Sequence, residues 1–341
     1  MVDFSIIKSG TRILIEAQLR PLQGNRFQPT GFPDLGAATY TLPDGTPMLL
    51  VESPQSMANR LEAMAWDPLA EDLVECLKGL PYVRVLDKNG KLLTTSILEA
   101  HRLNSPYILD SDDRFRTALS AELGSPDEFG AVDLKKAARV IFKYDPNSVL
   151  HGVFLARKDL AGGRYRLCRL LSAFIEAQGV QPVESGGVKN DRVNPRGPAE
   201  LGYGNVPFHR TEYVASSIKC YFSFDLGTLR SYALEPEMER LLFVLALWKI
   251  HAFLSGNLRL RTACDLTVDE IRVTSPKGWP LPGQDELTNE LPALIKSCGK
   301  HFAKPPVTQV TWLKVPARRA GDEKVDEEAR EGDLGSEADT E

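Results

Sequence analysis

The chain has 341 residues, 43% of them apolar and 26% charged, which is ample for a real core arranged as one elaborated domain or two smaller ones. Its net charge of -5 is set at the C-terminus: from Pro316 onward four basic residues stand against ten acidic ones, so that tail carries -6 and residues 1–315 carry +1. A near-neutral body argues against a bulk electrostatic binder of the histone kind, and it permits a local basic groove. The tail has almost no apolar content and is expected to be disordered. No apolar run reaches bilayer length, because Leu241–Trp248 is followed by Lys249 and His251, so it reads as a buried helix and no membrane contact is expected. The start, MVDFSIIKSG, lacks the basic flank and cleavage site of a signal peptide. Five scattered cysteines without a C-x-x-C pair fit free thiols in the cytoplasm.

In chain order, residues 11–22 alternate Ile13, Ile15, Ala17 and Leu19 against Arg12, Glu16, Gln18 and Arg20, which predicts a half-buried strand ending at Arg20. Residues 26–36 follow neither period; Arg26, Gln28, Thr30 and Asp34 sit there among Phe27, Phe32, two prolines and two glycines. A hairpin is predicted over 37–51 around Pro43-Asp44-Gly45. A helix over 54–66 follows, with Ser53 as N-cap and Pro54 as first residue. Met57, Leu61, Met64 and Ala65 form its core face, whereas Ser56, Asn59 and Arg60 gather on another face near the start. Helix starts favour anions, so this second face is either a phosphate seat or an ordinary solvated face.

Asp67-Pro68 predicts a second helix through Leu77, and Asn89-Gly90 a hairpin over 82–95. The acidic run Asp110-Ser111-Asp112-Asp113 has no supporting carboxylate pattern, so a loop or cap is expected there and no metal. A helix over 133–144, a buried strand over 148–156 and an amphipathic helix over 167–178 come next. Residues 181–213 show no apolar period; Lys189, Arg192, Arg196 and Arg210 interleave there with Asn190, Asn194, Tyr203 and Phe208. Such a segment is either a functional arm that could stack on bases or a mobile link. A strand over 217–226, a long apolar helix over 236–254, Arg259 and Arg261 beyond Gly256, a strand over 268–274 and a helix over 284–302 complete the chain. The expected fold class is α+β: a βαββαβ, ferredoxin-like or RRM-like palm with large insertions.

No nucleotide-binding, zinc-protease or serine-hydrolase motif occurs, and the five histidines stand at no metal-ligand spacing, so neither a cofactor nor a metal is expected. Five stretches carry a resemblance instead: RFQPTGFPDLG (26–36), ESPQSMANRLE (52–62), LHGVFL (150–155), LLSAFIEA (170–177) and GNLRLRTACDL (256–266). Together they resemble the Cascade backbone subunit of type I-G CRISPR systems, also labelled I-U, in the RAMP superfamily.

The resemblance covers roughly residues 10–315 and implies one domain over 1–315, with fingers near 67–147 and a thumb near 181–213, followed by the acidic tail 316–341. It implies a non-catalytic subunit that lines up in many copies along a CRISPR guide RNA and presents it to the target DNA strand. An end-capping or processing subunit and a large subunit would be further partners. Carried over, Ser56, Asn59 and Arg60 would hold guide phosphates, with Arg20, Arg26 and Gln28 beside them and Arg259 and Arg261 closing the groove. Lys189, Asn190 and Arg192 would belong to the thumb, and Phe27, Thr30, Gln55 and Arg210 complete the RNA-contacting set. The alternative is a RAMP-type ribonuclease acting on the CRISPR transcript through His101, His209 or His251.

Overall fold

The computed structural model describes residues 2–32, 36–111, 113–124, 131–256 and 258–313; Asp34, Asp112 and the acidic tail lie outside them. Strand β1 (Arg12–Pro21) buries Ile13, Ile15, Ala17 and Leu19 in strict alternation, as period-two side chains on a half-covered sheet must. β2 (Thr39–Thr41) and β3 (Pro47–Glu52) form the hairpin; Asp44 Oδ1 accepts from Thr46 N at 2.9 Å, and Gly45 takes φ 86° at the turn. Helix α1 (Pro54–Ala63) is capped by Ser53, whose hydroxyl accepts from Ser56 N at 3.2 Å. It buries Met57 and Leu61 completely, and each such side chain contributes about 1.5–3 kcal/mol.

β4 (Tyr82–Leu86) and β5 (Leu92–Thr95) form the second hairpin, closed by Asp87 on Asn89 N and Lys91 N, each at 2.8 Å. Helices α2 (Leu134–Tyr144) and α3 (Pro146–His151) meet at Asp145, which ends one and caps the other. β6 (Val153–Leu155) and β7 (Tyr165–Leu167) make a small hairpin. Then come β8 (Leu171–Gln178), β9 (Gln181–Lys189), β10 (Val206–Val214), β11 (Ser217–Asp225), α4 (Pro236–Ser255), β12 (Leu258–Arg261), β13 (Cys264–Ser275), α5 (Gln284–Cys298) and β14 (Val307–Thr311). Seven strands form one sheet in the order β12-β13-β1-β11-β8-β3-β2, antiparallel throughout. α1 and α4 pack together against one face of it, and Leu241–Leu247 of α4 are sealed in the core.

Four expectations are overturned. Residues 171–178 form a strand, with Leu171, Ala173, Ile175 and Ala177 buried between half-exposed Ser172, Phe174 and Glu176. Leu, Ala, Glu and Gln favour helices locally, and pairing with β11 and β3 overrides that preference. Residues 148–151 are the end of α3 and only Val153–Leu155 form a strand, because Asp145 accepts from Asn147 N and Ser148 Oγ and nucleates a helix there. After Asp67 there is a tight turn: its carboxylate accepts from Leu69 N and Ala70 N, and only a short 3-10 turn, Glu75–Leu77, follows. Residues 181–214 are largely a two-stranded ribbon, β9 paired with β10 from Gln181↔Val214 to Lys189↔Val206. Both ribbon faces are mostly exposed, so no buried face imposed an alternation that could be read.

Candidate nucleic-acid interface

Segment 26–30 laces three elements together. Phe27 exchanges backbone hydrogen bonds with Tyr213 at the root of the ribbon, both at 2.9 Å. Gln28 N donates to Ala263 O (2.8 Å) in the β12–β13 turn, and Thr30 N donates to Val51 O (3.2 Å) in β3. Phe27 is 0% exposed, so its ring is a core plug that cannot stack on a base, which corrects its place among the binding candidates.

Beside this lacing stands Glu52, fully buried at the end of β3. Its Oε1 accepts from Arg60 Nη2 (2.9 Å) and from Arg261 Nη2; its Oε2 accepts from Ser56 Oγ. Arg60 also donates to Leu260 O (2.6 Å), and Arg261 to Gln28 O (3.1 Å). One carboxylate therefore positions two guanidiniums and leaves a surplus positive charge. The two side chains remain 27% and 24% exposed, and Arg60 Nε has no partner. The motif recurs at Glu212, 4% exposed, which accepts from Arg210 (2.8 Å) and Ser185 Oγ (3.0 Å) and pairs with Arg26 at 3.2 Å. A recess of about 600 Å³ is lined by Gln28, Thr30, Thr211, Tyr213 and Arg261; a smaller one of about 300 Å³ adjoins Arg26 and Glu212.

The start of α1, which the sequence leaves as either a phosphate seat or an ordinary solvated face, has its donors at Ser56 engaged within the chain. Ser53 occupies the Ser56 N–H, and the Ser56 hydroxyl is spent on Glu52. Nor do Ser56, Asn59 and Arg60 act as one group. Ser56 and Arg60 turn to Glu52, while Asn59 pairs with Gln55 (3.4 Å) over a separate cleft of about 810 Å³. Arg169 borders that cleft and donates to Pro54 O (3.1 Å) and to Gln55 Oε1. Arg166 and the half-exposed Phe154 border it too. None of these three is among the sequence candidates: only the β6–β7 pairing, which no local signal announces, places Arg166 directly opposite Phe154.

The remaining candidates stand apart. Arg20 pairs with Asp269 (2.8 Å) and Arg259 with Asp265 (3.7 Å), both on the surface, and Lys189, Asn190 and Arg192 are exposed at the far end of the ribbon. Asp191 holds that end together by accepting from the backbone N–H groups of Val193, Asn194 and Gly204, each at 2.9 Å, which keeps its carboxyl below the usual range. His101 borders the larger cleft, His209 lies on β10 and His251 on α4, so the three occupy separate elements.

Beneath α1 runs a sealed polar network. Glu62 accepts from Arg102 Nε (2.6 Å) and Nη2 (2.7 Å), and Arg102 Nη1 donates to Gly152 O (2.9 Å). Arg102 adopts φ 54°, a conformation costing about 1–3 kcal/mol that this pairing over-determines. Lys249 Nζ donates to Asn147 Oδ1 (2.5 Å) and faces His151 Nε2 at 3.1 Å. Burial pushes the Lys249 ammonium down to about 8 and holds the His151 imidazole well below its ordinary range, so His151 is neutral. A lysine donor at Nε2 sets the tautomer with the proton on Nδ1, and that buried nitrogen has no partner.

Among the described residues no cluster of His, Cys, Asp and Glu could hold a metal ion, and no helix is long and apolar enough to cross a membrane. Residues 13–182, about half of the chain, match the model of the family described as CRISPR-associated protein GSU0053. No curated protein matches the sequence. Among solved structures, a chain of a "CRISPR RNA-guided surveillance complex, pre-nicking" is 14% identical, covering 97% of this chain and 89% of its own with a TM-score of 0.42. Thermofilum pendens Csc2 is 9% identical, with coverages of 88% and 81% and a TM-score of 0.30. Scores this low do not establish a shared fold.

Proposed function

The chain belongs to the CRISPR-associated family whose model matches residues 13–182, and we propose that it is a non-catalytic, guide-RNA-binding backbone subunit of a type I-G Cascade surveillance complex. The strand order β13-β1-β11-β8, with α1 and α4 in the two crossovers, is the 4-1-3-2 order of a ferredoxin-like unit; we read it as the RRM-like palm. The β9–β10 ribbon is then the thumb, and roughly residues 67–147 are the fingers. Copies of the chain associate along the guide, hold it for pairing with the target DNA strand, and meet the other Cascade subunits at its ends.

The observation that carries this reading is the pair of buried glutamates, each holding two arginines, with Arg261 lining the larger recess and Arg26 the smaller one. A subunit that must accept any spacer needs donors for phosphates and 2′-hydroxyls and no reader of base edges. Arg60, Arg261, Arg26 and Arg210 supply the first; Gln28 and Thr30 stand where a 2′-hydroxyl could be met. Filter binding of guide RNAs with unrelated spacers tests it. Affinities should agree within a few-fold across spacers. Arg60→Ala or Arg261→Ala alone removes the surplus charge while leaving Glu52 one arginine, and should flatten the salt dependence by about 0.7 in log–log slope for one lost phosphate contact. Binding unchanged in both variants would overturn the assignment.

A further inference from the structure

Beside the Gln55–Asn59 face of α1, the 810 Å³ cleft combines features that none of the roles above uses. No carboxylate borders it among the described residues, and its one sealed cation, Arg102, is already neutralised by Glu62. Two further guanidiniums remain. Arg169 is bonded only to a carbonyl and an amide oxygen; burial and the neighbouring Arg102 pull its pKa below the ordinary arginine value, against a smaller opposing pull from Glu62. Arg166 lies 5.9 Å from the ring centroid of Phe154, its cross-strand partner, and neither it nor Arg169 has a carboxylate partner among the described residues. Phe154 is 48% exposed, while the other strand residues of its hairpin apart from Arg166 (Val153, Leu155, Tyr165 and Leu167) are buried. His151 is part of the cleft lining, with its Nδ1–H unsatisfied.

An exposed ring under a guanidinium is a stacking surface; a second guanidinium with the amides of Gln55 and Asn59 is a phosphate seat; an orphan N–H calls for an acceptor. We infer that this cleft takes one unpaired nucleotide, its base on Phe154 and Arg166 and its phosphate on Arg169. The inference rests on the RNA-binding reading for the source of that nucleotide, a strand already held on the Glu52 side, but the chemistry of the cleft serves a free nucleoside monophosphate equally.

Two arms separate these sources. In the first, guide RNA carrying 4-thiouridine at single, successive positions is photocrosslinked to the full chain. Crosslinks to residues 152–169 should come from particular positions only; Phe154→Ala should abolish them and weaken RNA binding about tenfold with an unchanged salt slope, and Phe154→Tyr should restore both. In the second, equilibrium dialysis of AMP against the wild type, Phe154→Ala and Arg169→Met should show saturable binding lost in both variants. Phe154 is exposed and Arg169 makes no ion pair among the described residues, so both variants should keep the wild-type thermal midpoint, and a circular dichroism melt checks this. RNA that binds well with no position-dependent crosslink to 152–169, or with one indifferent to Phe154→Ala, overturns the strand-borne site. If RNA does not bind at all, the functional assignment falls, and AMP decides the cleft alone: loss of binding in the variants upholds it, and absence of wild-type binding overturns it.

Discussion

Glu52 and Glu62 stand just before and near the end of the same helix, both buried, and both hold an arginine. They do opposite things. Glu62 meets one guanidinium, Arg102, which is itself only 6% exposed, so charge is balanced and solvent excluded. Glu52 meets two, both partly exposed, so one positive charge is left over at the surface. A buried carboxylate is therefore no guide to function by itself. The number of cations it holds, and whether they reach water, separates a structural pair from a prepared anion site.

The largest expected effect breaks the sealed side of the comparison. Glu62→Ala leaves Arg102 charged and unpaired in the interior and should cost about 3–5 kcal/mol in urea unfolding. A loss under about 1 kcal/mol would mean that Arg102 reaches water and the two glutamates do not differ as described. A second test uses Lys249, in the same sealed network. Its folded-state pKa is about 8 against an ordinary 10.5, so between those values the unfolded chain holds a proton the folded chain has released. Stability should accordingly rise with pH across that window, by up to about 1.4 kcal/mol per unit, and below pH 8 the full penalty of burying the ammonium is present. The difference in unfolding free energy between wild type and Lys249→Met, followed from pH 7 to 9.5, isolates this contribution; a flat difference would place water beside Lys249. The smallest effect sharpens the open side. Arg26→Ala leaves Glu212 its pairing with Arg210, and since Arg26 is itself mostly exposed, stability should fall by only about 0.2–1 kcal/mol. A loss like that of Glu62→Ala would make Glu212 a structural centre instead.

Much of the architecture could be read from residue order. β1 and β11 announced themselves by alternation, α4 by its apolar run, the first hairpin by Asp44-Gly45, and α1 by Ser53-Pro54. Each of those signals acts within a few residues. β8 failed because its residues favour a helix until two neighbouring strands claim them, and the ribbon failed because neither of its faces is buried throughout. At the candidate site the arginines and amides were legible as chemistry, but their grouping was not: Ser56 and Asn59, three residues apart, bond to different partners, Glu52 and Gln55.

By itself, then, the sequence determined which segments are strands or helices wherever local periodicity and capping agree, and which side chains could grip an anion. The tertiary structure alone decided which charges meet. Arg60 reaches Glu52 across 8 residues and Arg261 across 209, and Arg102 reaches Glu62 across 40. The physical reason is that the worth of a charge depends on burial and on its count of partners, and both are set only when distant segments pack.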